Sequence, residues 1–166
     1  MKYVVAVLVL LMTALVQVSA MPAFPVFGVM PNLVLSLACC WMVVRGQEEA
    51  MIVVPMAGLC LGIFGSQALG VSLLAMMPVA LFGELRVLRL TPSNFLLTVI
   101  IVFLSSMAYE IVMLVALRAG GESVGWIPAF VRVVVPTGIV SVLFTPPLYW
   151  LVWSRSEGLR RVRAYV

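Results

Sequence analysis

SNFLLTVIIVFLSSMAYEIVMLVAL, residues 93–117, carries a single charge, Glu110, in 25 residues. A helix crosses the hydrocarbon of a bilayer with roughly 20 mainly apolar residues, so this run reads as a membrane span. It does not alternate apolar with polar residues, which argues against a strand of a membrane barrel. The rest of the chain has the same character. Of 166 residues, 64% are hydrophobic and 10% are charged, with a mean hydropathy of +1.24. Soluble domains carry about 25% charged residues, so a water-facing surface cannot be built from this composition.

Upstream of the opening run, residues 50–83 are free of charge. That is too long for one span, and Gly65-Ser66-Gln67 supplies the turn. Spans are expected at 49–65 and 68–88. Nearer the N-terminus, Pro22 and Pro25 divide an uncharged stretch, which predicts spans at 3–20 and 29–45. Downstream, Gly120-Gly121 marks a turn, a last span runs over 127–153, and 154–166 form a basic tail. The expected fold is all-α: one integral membrane domain over 1–166, a polytopic transmembrane bundle of six helices. Lys2, the first apolar run and Val18-Ser19-Ala20 also resemble a cleavable signal peptide. The run is longer than the usual core of roughly 7–15 apolar residues, so the first helix is expected to be retained.

Charge sets the expected orientation. With Lys2 in the cytoplasm, alternation over six spans places Arg45, Arg86, Arg89, Arg155, Arg160, Arg161 and Arg163 on the same side. Arg118 and Arg132 fall on the other. Membrane proteins show this bias of basic residues toward the cytoplasm. Both termini are therefore expected inside. The juxtamembrane arginines Arg155, Arg160, Arg161 and Arg163 suit anionic lipid headgroups or a docked cytoplasmic partner.

Catalytic constellations are missing from the sequence. There is no His and no Asp, no CxxC, and no phosphate-binding or dinucleotide fingerprint. Glu48-Glu49 beside Arg45 reads as a solvated loop cluster. Cys39, Cys40 and Cys60 read as small core residues, and the scattered methionines as gap-fillers. No enzyme, cofactor or metal is expected. Glu110 and Arg132 are each expected roughly 9–12 Å below the outer ends of their spans. A charge in hydrocarbon costs at least about 2.5–3.5 kcal/mol, so an ion pair between them is expected, clamping the last two spans. Gly58-x-x-x-Gly62 brings backbones close, as helices in lipid require. With Gly65 and Gly70 it forms the expected helix-packing or partner face. Pro55, Pro78, Pro136, Pro146 and Pro147 interrupt spans. Trp41, Trp126, Tyr149, Trp150 and Trp153 read as interfacial anchors.

Three stretches together resemble a known family. They are Pro31-Asn32-Leu33-Val34-Leu35, the glycine-rich segment from Gly58 to Gly70, and Val135-Pro136-Thr137-Gly138 followed by Thr145-Pro146-Pro147-Leu148-Tyr149. Their order and hydropathy layout resemble the rod shape-determining protein MreD over most of the chain. The sequence departs from that pattern at Gly62, where members often have an acidic residue, and near Gly138, where they often carry Asn. The resemblance implies a non-enzymatic multi-pass component of the bacterial inner membrane in the cell-elongation machinery. It implies an MreC-like bitopic partner, links to RodA and its partner transpeptidase, and an indirect link to MreB. The family in turn resembles, in fold, the six-helix substrate-binding subunits of energy-coupling-factor vitamin transporters. That alternative function would need a polar-lined cavity drawn from Ser72, Ser93, Asn94, Ser105, Ser106, Tyr109, Glu110 and Thr137. A scaffold would need only an exposed apolar groove.

Overall fold

The computed structural model describes residues 2–20, 31–65, 69–82, 94–121 and 125–163. The proline break at 21–30, the Ser66-Gln67 turn, the basic pair Arg86 and Arg89, and Ser93 lie outside them. The described residues are all-helical, with no strand among them. The helices are α1 (Lys2–Ala20), α2 (Leu33–Arg45), α3 (Gln47–Phe64), α4 (Leu69–Phe82), α5 (Asn94–Ala119), α6 (Trp126–Ala129), α7 (Val135–Leu143) and α8 (Thr145–Arg163).

The centre of the molecule is α2. All eleven residues from Leu33 to Val43 are buried. A helix apolar on every side belongs inside a protein or a membrane, and here α1, α3, α5 and α8 pack around it. Its start is fixed by Asn32, whose side-chain oxygen accepts from the Leu35 amide at 3.1 Å. Gln17 of α1 accepts from the Val34 amide at 3.0 Å. Two otherwise orphaned donors of the first turn are thus satisfied inside the bundle. The helix stops at Gly46, whose φ of 107° suits a residue without Cβ. Immediately after it, Glu48 and Glu49 fall in the first turn of α3, where carboxylates oppose the helix dipole favourably.

α3 and α4 share the most intimate contact in the bundle. A Cβ on Gly58 would lie 3.2 Å from the Leu73 Cα and 3.4 Å from the Met76 Cβ. α5 packs on α4, α2 and α7. It is long and apolar enough to cross a membrane, with a mean hydropathy of 2.3 over 18 residues within Phe95–Ala119, 33% of them buried. Leu96, Ile100, Leu104, Ile111 and Val115 are among its exposed residues.

The expected span at 127–153 is not one straight helix. A π-turn, Phe130–Val134, separates α6 from α7. The Val135 amide bonds to the Phe130 carbonyl, and Pro136 has no N–H to restore the regular bond to Arg132. A second break follows at Phe144, where two apolar helical stretches, Phe130–Leu143 and Thr145–Ser154, meet at a bend of 42°. Pro146 and Pro147 withhold two donors there, while the Thr145 hydroxyl donates to the Ser141 carbonyl at 3.1 Å. The stretch read as a separate tail is continuous with α8 as far as Arg163. Its side chains from Arg155 onward lie outside the described residues, so Arg155, Arg160, Arg161 and Arg163 are placed by backbone only.

Candidate functional site

The charged pair expected between α5 and the last span is not formed. Glu110 is half-buried and Arg132 is exposed, and no ion pair joins them among the described residues. The π-turn is the reason. It sets the buried Ala129 and Val134 five positions apart, and the four residues between them, Arg132 included, face outward. Depth along the helix was legible in the sequence, but the angle around it depended on the extra residue in that turn.

Arg45 pairs with Glu49 instead, Nη1 to Oε2 at 3.8 Å. The Trp41 indole N–H donates to the same carboxylate at 3.2 Å, and the Arg45 guanidinium lies 5.0 Å from the Trp41 ring centroid. Trp41, Arg45 and Glu49 therefore tie the corner between α2 and α3. Two expectations are corrected. Glu49 belongs to the first turn of a helix rather than to a solvated loop. Trp41, at 4% exposure, is a core residue rather than an interfacial anchor. The spacing i, i+4, i+8 was the available signal. By contrast Trp126, Trp150 and Trp153 are exposed.

Five of the polar residues considered for a cavity lining, Ser72, Ser105, Ser106, Tyr109 and Thr137, are buried. Tyr109 is buried beside Asn32 and Ser72. Ser105 faces the Cys39 thiol, and Ser106 and Thr137 are buried. Cys39 and Cys40 are buried free thiols, and Cys60 is a half-buried one. Among the described residues no group of three or more His, Cys, Asp or Glu could hold a metal ion.

The glycine-rich segment divides. Gly58 faces α4 and Gly62 is buried. Gly65 is exposed, and a Cβ on Gly70 would meet nothing within 4 Å. Gly58 is thus already occupied by the chain's own helix.

What the structure leaves open is apolar. Leu96, Ile100, Leu104, Ile111 and Val115 form an exposed row along α5. The spacing of these residues, multiples of four with one step of seven, keeps them on one face. Beside the row, Val99, Ile100, Phe103, Leu104, Ile139 and Val142 line a cleft of about 360 Å³ between α5 and α7. Gly138 lets the helices approach here: its Cβ position lies 3.2 Å from the Phe103 ring. Comparison with known proteins finds no family model that matches the chain, no similar curated protein and no similar solved structure.

Proposed function

We propose that this chain is a non-enzymatic, multi-pass scaffold of the bacterial inner membrane, similar to MreD, that seats the single transmembrane helix of an MreC-like partner. The observation that carries the reading is the exposed row on α5. From Leu96 to Val115 it covers twenty residues, nineteen steps of 1.5 Å or about 28 Å. The hydrocarbon core is about 30 Å thick. An apolar ridge of that length, flanked by a cleft against α7, suits a second helix lying alongside over the whole membrane. Helices in lipid associate through this kind of close packing rather than through hydrophobic drive.

Six membrane passes are compatible with helices as short as α2. Thirteen residues span about 20 Å, and backbone beyond the helix is tolerated at membrane depth where protein encloses it. In this reading α6, the π-turn, α7 and the first half of α8 make one bent pass. The resemblance supplies the cellular setting: cell elongation and peptidoglycan synthesis, with RodA and its partner transpeptidase nearby and MreB filaments reached indirectly.

The test is photocrosslinking in the native membrane. A photoreactive residue at Ile100, Leu104 or Ile111 is expected to capture one bitopic protein, identified by mass spectrometry. The same residue at Met51 on α3 is expected to capture none. If purification instead enriches ATPase subunits with a coupling membrane protein, the chain is a substrate-binding subunit of a small-molecule transporter.

A further inference from the structure

A cleft of about 340 Å³ runs between α1 and α8 with α2 as its floor. α1 packs on α2 and α3, while α8 packs on α2, α5 and α7, so the two helices flank a strip of α2. Leu8, Met12 and Val16 form one wall, and Leu148 and Leu151 the other. Leu33 and Trp41 lie at the bottom. The polar groups in this lining are already engaged. The Thr13 hydroxyl donates to the Val9 carbonyl at 2.8 Å, and the Trp41 N–H is taken by Glu49. Along its length the cleft therefore offers hydrocarbon alone.

Its length and its mouth distinguish the occupant. Leu8 to Val16 and Leu33 to Trp41 each cover nine residues, eight steps or about 12 Å. That is close to half of a hydrocarbon core of about 30 Å, and it is far short of a spanning helix. α1 and α2 run antiparallel, because Gln17 meets Val34 while Leu8 shares the cleft with Trp41. The Leu8 end is thus the end of α1 that begins at Lys2, six residues or about 9 Å further on. α8 runs toward the same end. Gly138 meets Phe103 and Tyr149 meets Phe95 on α5, which is antiparallel to α2 with Ser105 at Cys39 and Tyr109 at Asn32. On α8, Arg155 follows Val152 by three residues, about 4.5 Å. Arg160, Arg161 and Arg163 continue the same helix, against one carboxylate, Glu157. An apolar slot one leaflet deep thus opens where two helices bring positive charge.

We propose that this cleft is a binding site for an anionic phospholipid. One acyl chain lies between α1 and α8 over Trp41, and the phosphate lies at the end of the cleft where the α1 and α8 backbones carry Lys2 and Arg155. The site rests on the membrane reading given above, but not on the identity of the partner protein.

Trp41 is the natural reporter. The full chain carrying Trp126→Phe, Trp150→Phe and Trp153→Phe keeps Trp41 as its single tryptophan. It would be reconstituted into phosphatidylcholine vesicles containing increasing fractions of phosphatidylglycerol, or of phosphatidylcholine, brominated on the acyl chain. Bromine quenches an indole in contact with it. Trp41 is expected to be quenched at lower fractions of the anionic lipid, by roughly fivefold for each of the two basic residues. Lys2→Gln with Arg155→Gln should remove that preference and leave quenching by brominated phosphatidylcholine in place. Identical curves for the two lipids would overturn the site, since bulk chains would then fill the cleft. Absence of quenching by either lipid, in protein that floats with the vesicles, would overturn it as well. Protein that fails to float with the vesicles would remove the membrane reading itself, a separate result.

Discussion

Gly58 and Gly70 stand twelve residues apart in one glycine-rich segment, and their surroundings are opposite. Gly58 has the α4 backbone against it, so Gly58→Leu must push α3 and α4 apart. Overpacking of this kind costs about 1–3 kcal/mol. Gly70 faces open space, and Gly70→Ala replaces a poor helix former with one better by up to about 1 kcal/mol. In detergent, Gly58→Leu is expected to lower the melting temperature clearly. Gly70→Ala should leave it unchanged or raise it, as circular dichroism would show. The sequence could nominate these glycines for close packing, because only glycine permits backbones to meet. It could not assign them to a neighbour, since Gly58 against α4 and Gly58 against a foreign helix need the same residue. Trp41 was misjudged for a similar reason. An indole near a predicted span end satisfies the interfacial pattern and the buried one equally, and only the carboxylate of Glu49 at its N–H distinguishes them.

Among the elements, α5 was readable nearly to its ends: 93–117 was expected and Asn94–Ala119 is observed. A long apolar run with a single charge, preceded by Pro92 and followed by Gly120-Gly121, leaves little freedom. α2 was readable at its C-terminal end, where Arg45 and Gly46 close it. Its start lies four residues later than expected because Pro31 and Asn32 define the cap. The last span defeated the sequence reading because its two irregularities concern register. The π-turn adds one residue to a turn, and hydropathy averages are blind to a single residue. Deletion of Val131 removes that residue and restores the spacing of a regular helix between Ala129 and Val134. Both buried side chains keep their inward direction, so the variant should fold with a melting temperature close to the parent's. A collapse in stability would mean that the outward arc from Phe130 to Val133 is required by the fold itself.

For the molecule as a whole, the charge tally and the helix order agree on one geometry. α1 starts, and α2 and α8 end, at the same end of the bundle, the end that holds Lys2, Arg45 and Arg155. Reporter fusions test the orientation: a fluorescent protein joined to the C-terminus is expected to mature in the cytoplasm, and a periplasm-dependent phosphatase joined there is expected to stay inactive. Inversion of the two signals would reverse the assignment of every loop. What the composition could not convey is that the polar residues are used between helices. Ser72, Ser105 and Tyr109 belong to contacts around α2, and a count of hydroxyls does not separate a packed seam from a lined cavity.

The enclosure of α2 has a consequence for how the chain is made. Of the four helices around it, α8 comes latest in the sequence. Until then the strip of α2 beneath α8 lies bare. For most of translation the nascent protein is an open basket with its central rod already in place. A chain that stops upstream of Thr145 lacks α8 and leaves that strip of the rod uncovered.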